Sequence, residues 1–590
     1  MPGLLPPPQA SLPSRSTTLR AGHTAALAPL VAAFTRAAAE RGIAVHTVAD
    51  VRGAAEIVDR LVAGIGARVV RLAARAGAAE LNFAEALAAR GMFLVDGTTQ
   101  MSAAVQHELE VAGCELVDAA WGVADAAQVV GQLLEGGVRP RLRVALLPVD
   151  RIVWTGDELG QITAAPDRFG AFDVDHVLLL DNGRSHMAAD AGFAAVARCI
   201  DCGACSDVCR PLRVAGGHLD TGLPATPIAL LQRPWQAGLD AAVDAEAACL
   251  LCGDCATVCP VEIPIPSLII ELRERRAGQP PRSSPLVAHV RAITHRPRPG
   301  AGERGAPSFA EQLQRSGAVQ PASTPFRATL SRREREGAVL AARAPTSART
   351  AAVANRVALV PGCAADELAP EVATSAVRLL QAAGCEVVVP PAQRCCGLPA
   401  ILRGKHAAAQ QAARQTIDAL AGARVDRLVF LSPACAVAVR AHYPRLLAGD
   451  AAVSRRLAQI AGRVTTVTEA LHEAGLASEV GEAVQDRAAA LHPLCVVRPA
   501  AASAGQPDVE PAPLLTDCCG IDFAGLAKPA LGAALARDLL DESRSAGASL
   551  LLAEDPACLV HLRGAAASDG AVHVESLVSF LDAALLGRKQ

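Results

Sequence analysis

Apolar runs long enough to cross a bilayer are missing: none approaches the roughly 18 uninterrupted residues that a spanning helix requires. The Pro-rich opening MPGLLPPPQASLPSRSTTLR also lacks the apolar core of a secretory signal. Both absences point to a cytoplasmic protein, with any membrane association peripheral, at the inner face. Charge imbalance is absent too, because a net charge of -3 gives no reason to expect nucleic acid as a partner. No GxGxxG follows a strand-like run, so neither a flavin nor an NAD site can be assigned.

Cysteine, by contrast, is abundant, with eighteen in the chain. In a reducing compartment thiols are kept free, and disulfide frameworks belong mainly to small secreted domains. Metal ligation is therefore the default reading. The 590 residues exceed the size of one hydrophobic core, so two to four domains are expected, and 51% apolar with 19% charged residues describes an ordinary folded protein.

Residues 1–22 are rich in Pro and Ser and are expected to be disordered. The stretch 23–189 then alternates strand-like runs with segments of helical period. IAVHTVAD, ARVVRLAA, GMFLVDG, LRVALLPVDRIVW and VDHVLLLD are its strands, and AALAPLVAAFTRAAAERG is an amphipathic helix. That order predicts an α/β domain with a largely parallel sheet. Residues 190–275 carry two cysteine sets on short helices, and 276–355, dense in Arg, Pro, Gly and Ser, reads as a linker.

The two sets, CIDCGACSDVCRP and CLLCGDCATVCP, each follow CxxCxxCxxxC with a proline after the last thiol. Three thiols at two-residue gaps point at one centre and the fourth reaches across to the other, which implies two [4Fe-4S] clusters. One takes Cys199, Cys202, Cys205 and Cys259, and the other Cys249, Cys252, Cys255 and Cys209. Zinc is the competing reading, but it needs two CxxC pairs per metal rather than a triplet and a distant thiol. Two adjacent clusters imply a one-electron relay.

Beyond the linker a repeat appears. Cys363, the pair Cys395 and Cys396, and Cys435 recur as Cys495, the pair Cys518 and Cys519, and Cys558. The second thiol of each pair precedes the last by the same 39 positions. Each pair is followed by glycine, as ligands on a tight turn would be. A buried structural thiol is the alternative at each position. Cys114 and Cys385 are read as core.

The segments PGCAADEL, QRCCGLPA and SPACAVAVRAHYP, with ALHPLCVV, DCCGIDF and DPACLVHL, resemble the Cys-Cys-Gly domains of heterodisulfide reductases, of the iron–sulfur subunit of glycolate oxidase and of lactate-utilisation protein A. Here Cys435 and Cys558 stand alone where heterodisulfide reductases have CxxC, which argues against a five-thiol cluster of the heterodisulfide type and leaves a four-thiol site open. Upstream, VDHVLLLDNGRSHMAADAGFAAVARCIDCGACSDVC closely resembles lactate-utilisation protein B, whose LUD-type domain ends in such a turn. The LUD stretch of the GITGANFAIAETG kind is replaced here by ELVDAAWGVADAAQVV, with only Trp121, Gly122, Ala124 and Asp125 in register. A small-molecule pocket in that domain is thus expected to be altered or absent.

The DNGRS turn presents Arg184, whose planar fork suits a carboxylate or phosphate, or else braces the domain. His218, between glycine and leucine, is a cluster hydrogen-bond donor, a proton relay or a structural turn residue. Arg184 and His218 are the candidate cofactor-binding residues outside the thiols.

The expectation is therefore a multidomain α/β protein: a LUD-like α/β domain, a helical two-cluster ferredoxin-like domain and two repeated α/β Cys-Cys-Gly domains, 356–475 and 476–590. Two [4Fe-4S] clusters are expected, with additional iron–sulfur clusters or metal at the Cys-Cys-Gly domains. The resemblance implies an iron–sulfur component of an oxidoreductase that takes L-lactate to pyruvate. Its partners would be other subunits of a lactate-oxidation complex, an electron acceptor (the quinone pool or a carrier protein) and a small 2-hydroxy acid. The alternatives are an iron–sulfur subunit of a glycolate oxidase or heterodisulfide reductase-like enzyme, and a non-enzymatic redox sensor.

Overall fold

The computed structural model describes residues 15–67, 69–73, 87–96, 113–131, 140–162, 170–215, 226–242, 248–277, 356–390, 393–474, 489–493, 517–521, 529–567 and 570–587, with a few isolated positions. His218, Cys495, residues 1–14 and nearly all of the expected linker lie outside this set.

The chain forms two compact units. One comprises Met1–Asp207, Pro224–Ala242 and Cys255–Leu268; the other comprises Val208–Leu223, Val243–Asp254 and Ile269–Gln590. The ferredoxin-like stretch 190–275 is therefore no separate body. Each cysteine set is itself divided: Cys199, Cys202, Cys205, Cys255 and Cys259 fall in the first unit, and Cys209, Cys249 and Cys252 in the second.

The first unit contains strands β1 (Ala44–Val48), β2 (Val69–Ala73), β3 (Phe93–Asp96), β4 (Cys114–Asp118), β5 (Trp121–Val123), β6 (Gln128–Gly131), β7 (Leu142–Pro148), β8 (Ile152–Val153), β9 (Gly170–Phe172) and β10 (His176–Leu180). Six of them make a parallel sheet in the order β1-β10-β7-β4-β2-β3. Its central strands read as nearly continuous apolar runs because both faces are covered. Val58, Val70, Leu116, Val144 and Leu178 pack on one side, and Leu30, Phe34, Ala145, Leu147, Val177 and Leu179 on the other. Helix Leu27–Glu40 supplies Leu30 and Phe34, as its period predicts.

A second, four-stranded sheet, β8-β5-β6-β9, was not anticipated; most of it lies in ELVDAAWGVADAAQVV and the strand after β7. The five expected strands correspond to β1, β2, β3, β7 and β10. A correction falls at the amino terminus: residues 15–22, expected to be disordered, belong to the helix Arg15–Ala25. The buried Arg20 holds it down, donating to the carbonyls of Asp150 (2.8 Å), Ala197 (2.6 Å) and Arg198 (3.1 Å).

The second unit carries β11 (Arg356–Val360), β12 (Glu386–Val388), β13 (Arg427–Phe430) and β14 (Val464–Thr466) in one parallel sheet, order β12-β11-β13-β14. Strands β15 (Ala489–His492), β16 (Leu550–Ala553) and β17 (His573–Ser576) form a second parallel sheet. The repeat in sequence is thus a repeat in structure. After β13 the helix Pro433–Val437 begins at Ser432, and after β16 the helix Pro556–Ala566 begins at Asp555. Each cap accepts a hydrogen bond from the backbone N–H of its helix, satisfying an otherwise orphan donor.

The two caps also meet. Ser432 Oγ donates to Asp555 Oδ2 at 2.6 Å in the interior, and burial raises the Asp555 carboxyl above the usual range. A single apolar core, including Leu359, Val372, Leu379, Leu491, Leu539, Leu551 and Leu581, runs through both repeats. Among the described residues, no helix is long and apolar enough to cross a membrane.

Candidate metal centres

A backbone that reverses through left-handed residues lets the sulfurs of a CxxC face one point and exposes its N–H groups to them. Both sets do this at equivalent positions: Asp201 (φ 58°) and Gly203 (φ 77°) in the first, Leu251 (φ 54°) and Gly253 (φ 91°) in the second. For a leucine this conformation costs about 1–2 kcal/mol. The reversal turns backbone amides toward sulfur. Asp201 N donates to Cys199 Sγ (3.3 Å) and Leu251 N to Cys249 Sγ (3.4 Å), while Ile263 N donates to Cys259 Sγ (3.4 Å). Short helices follow, Ala204–Asp207 bearing Cys205 and Asp254–Thr257 bearing Cys255.

In the first unit, Cys199, Cys202, Cys205 and Cys259 line one pocket with Gly203, Thr226, Ile228, Pro260 and Ile263. This is the crossed set expected from spacing: the last thiol of the second motif joins the first three of the first. Burial pushes the Cys199 thiol up to about 12, although Arg151 opposes the shift. Arg151 and Arg20 stack on Trp121, with guanidinium carbons 5.2 and 5.0 Å from its ring centre. The pocket fits an iron–sulfur cluster: four thiols converge, an apolar wall screens them, N–H groups point at sulfur, and two cations stand near Cys199 to balance thiolate charge.

In the second unit, Cys209, Cys249 and Cys252 are close enough to interact, and burial raises Cys252 well above the ordinary thiol range. This set is embedded beside the second Cys-Cys-Gly repeat, where Ala248, Leu250 and Cys252 pack with Cys518, Leu531 and Leu535. The buried Arg210 fixes the neighbouring helix through Asp517 (2.6 Å) and Asp538 (2.8 Å). On the other side, Arg273 bridges the Cys249 carbonyl (3.1 Å) and the Leu402 carbonyl (2.5 Å), just beyond the Cys-Cys-Gly turn of the first repeat.

In the first repeat, Cys363, Cys396 and Cys435 are buried and Cys395 partly so. Hydrogen bonding with the thiols of Cys395 and Cys435, then burial, drives the Cys396 thiol upward. Gly397 (φ 80°) makes the turn possible, since a Cβ there would lie 2.6 Å from Ala412 Cβ. Gly520 (φ 85°) is its counterpart, with Leu535 at 2.9 Å. The repeats also share a support that sequence reasoning missed. Tyr443 Oη donates to the Cys396 carbonyl (2.6 Å), and His561 Nε2 lies 3.1 Å from the Cys519 carbonyl. Tyr443, the chain's only tyrosine, follows a π-helical turn, Ala438–His442, of the sort that recurs at functional sites.

In the second repeat Cys518, Cys519 and Cys558 are buried, and His492, unremarked in the sequence, joins Cys519 and Cys558. Its only sequence signal was its position at the end of an apolar strand.

Arg184 lies inside the first domain, its Nε 3.2 Å from the buried Asp150. The turn before it is rigid: Asn182 (φ 45°) and Gly183 (φ 79°) are left-handed, and a Cβ on Gly183 would sit 2.2 Å from the Trp235 carbonyl oxygen. Cys114 is fully buried in the sheet, its thiol pushed by burial up to about 12, and Cys385 packs against the core of the repeats.

Crossed thiol sets beside a duplicated Cys-Cys-Gly fold define an iron–sulfur protein. A family model described as "4Fe-4S dicluster domain" matches residues 195–263, and one described as "Cysteine-rich domain" matches 357–440 and 507–563. Among relatives, "Lactate utilization protein A" of Shouchella clausii is 30% identical over 219 residues, covering 35% of this chain and 90% of that protein. "Lactate utilization protein A" of Macrococcus caseolyticus is 29% identical over 239 residues, covering 38% and 96%. "Lactate utilization protein B 1" of Bacillus mycoides is 28% identical over 207 residues, covering 31% of this chain but 42% of that protein. The chain belongs to the lactate utilization protein family, and it joins in one polypeptide stretches similar to A and to B.

Proposed function

We propose that this chain is the iron–sulfur electron-transfer component of an oxidoreductase that converts L-lactate to pyruvate. The observation that carries the reading is the crossed pocket of Cys199, Cys202, Cys205 and Cys259 in a chain whose relatives are named for lactate utilization. Clusters bound there and at Cys209, Cys249, Cys252 and Cys255 would supply one-electron transfer. Oxidising lactate releases two electrons and two protons, so two one-electron carriers in series suit a two-electron donor.

The chain's own residues account for the rest. Left-handed turns aim the thiols and backbone N–H groups stabilise sulfur charge. Arg20 and Arg151 raise the electron affinity of the first site, and apolar walls keep water from it. The packing of the second thiol set against Cys518 supports electron passage between the ferredoxin-like part and the Cys-Cys-Gly half, whose paired cysteines hold metal in this reading. Arg184 and His218 remain the candidates for contacts to a small anion or to a cluster sulfur. The partners would be further subunits of a lactate-oxidation complex and an acceptor, a quinone or a carrier protein, with the chain working in the cytoplasm or at the inner membrane face.

The test is substrate-linked reduction. Anaerobic extract containing the full chain and its partners is frozen after mixing with L-lactate, D-lactate or glycolate, and reduced-cluster EPR signals are compared. L-lactate should reduce the clusters fastest. Reduction by glycolate alone would move the chain to a glycolate oxidase, and no reduction by any donor would favour a sensor.

A further inference from the structure

The two Cys-Cys-Gly repeats are alike in chain path but differ in one chemically decisive place. Strand β11 ends Val360-Pro361, with Cys363 two residues on; β15 ends His492-Pro493, with Cys495 at the same offset. In register across the sheet, Val360 faces Phe430, whereas His492 faces Ala553. The second repeat has thus exchanged a valine–phenylalanine pair for a histidine–alanine pair, and the small alanine leaves space for the imidazole.

His492 is 1% exposed, an unusual place for a polar ring in an apolar core. Its Nδ1 lies 2.9 Å from the Leu515 carbonyl, and a carbonyl only accepts, so Nδ1 carries the proton and Nε2 presents a bare lone pair. That Nε2 has no hydrogen-bond partner among the described residues. One ring nitrogen of His492 and the sulfurs of Cys519 and Cys558 all lie within 4.8 Å of one another, and all three residues are buried; with Nδ1 engaged by the Leu515 carbonyl, Nε2 is the nitrogen left to bind. A ligating histidine typically donates its other N–H to a carbonyl in this way, which fixes the tautomer.

The spacing bears on nuclearity. A tetrahedron with metal–sulfur bonds of about 2.3 Å has edges of about 3.8 Å, so donors within 4.8 Å need only a small closure to share one ion. In a cubane each thiolate binds a different iron, which holds the donors further apart. We infer that the second repeat binds a single zinc-class ion through His492 Nε2, Cys519 Sγ and Cys558 Sγ, a site that the first repeat, with Val360, cannot reproduce. This rests on the reading of Cys519 and Cys558 as metal ligands. Cys518, whose sulfur accepts from Gly520 N at 3.3 Å, is not among the three donors that lie together.

The test uses the full chain, purified anaerobically, with bound iron and zinc measured and cobalt(II) as the probe ion. The expected result is zinc near one per chain, and a cobalt adduct with thiolate charge-transfer absorption that disappears in Cys519→Ser and Cys558→Ser. His492→Ala should weaken cobalt binding at least about 10-fold. If His492→Ala fails to fold, pulsed EPR of the wild-type cobalt adduct with 15N-labelled histidine reads the nitrogen ligand directly. An adduct that needs both thiols but lacks histidine nitrogen coupling overturns the role of His492 while the thiol reading survives. Extra iron and sulfide lost on Cys519→Ser, with no zinc or cobalt bound, overturns the single-ion site and leaves the thiols as cluster ligands. Metal content indifferent to Cys519 and Cys558 refutes the thiol reading itself.

Discussion

Replacing Gly397 with alanine separates the two demands that the Cys-Cys-Gly turn makes on its glycine. The residue is left-handed at φ 80°, and an added Cβ would lie 2.6 Å from Ala412 Cβ and 3.6 Å from the Ala409 carbonyl oxygen. Ala412 has no flexible end to withdraw, so helix His406–Ala421 must itself move. Gly384 is the control: its φ of 86° imposes the same backbone strain, yet no described atom lies within 4 Å of its Cβ position. Gly384→Ala should therefore cost only the left-handed penalty, about 1–2 kcal/mol. Gly397→Ala adds an overpacking cost of about 1–3 kcal/mol. At about 2–4 °C per kcal/mol for a unit of this size, it should melt roughly 2–12 °C below Gly384→Ala. Differential scanning calorimetry of the anaerobic protein reads the difference, and metal analysis should show loss at Cys395 and Cys396 with the ferredoxin-like sets intact. Equal melting temperatures for the two variants would refute the claim that close packing, rather than backbone conformation alone, requires this glycine.

Other expectations follow from single contacts. Arg151→Leu removes a cation near Cys199, so the midpoint potential of the first cluster should become more negative in an EPR-monitored titration; an unchanged potential would mean that Arg151 only packs on Trp121. Tyr443→Phe leaves the buried Cys396 carbonyl without its 2.6 Å donor and should destabilise the second unit by about 1–3 kcal/mol in denaturant unfolding, whereas a loss below about 0.5 kcal/mol would show that the bond contributes little. Gly183→Ala drives a methyl into the Trp235 carbonyl and should lower the melting of the first unit while leaving that of the second in place; an unaltered transition would contradict the packing described for the DNGRS turn.

Much of this architecture is legible in the sequence because its signals are local. The cross-over rule for two matching CxxCxxCxxxC sets placed Cys259 with Cys199, Cys202 and Cys205, which line one pocket, and the equal intervals of the repeats announced two copies of one structural unit. The sheet β8-β5-β6-β9 was hidden for a physical reason: its strands are two to four residues long, too short for a period to show. The ordered start of the chain was equally hidden. Helix Arg15–Ala25 is polar, and it is held by Arg20 reaching carbonyls more than a hundred residues away. His492 went unread because one histidine at the end of an apolar strand looks like any buried histidine until folding sets it beside Cys519 and Cys558.

The central claim is that two crossed [4Fe-4S] clusters sit in the ferredoxin-like stretch and carry electrons. Counting iron and sulfide in the anaerobically purified chain, beside Cys259→Ser and Cys209→Ser and with EPR of the dithionite-reduced forms, tests it most directly. The account predicts at least about eight irons in the wild type and a loss of about four in each variant. Cys259→Ser should erase the signal of the cluster held by Cys199, Cys202 and Cys205, and Cys209→Ser the other. A wild type with about four irons or fewer, or a Cys259→Ser variant that loses the cluster of its own motif instead, would contradict it.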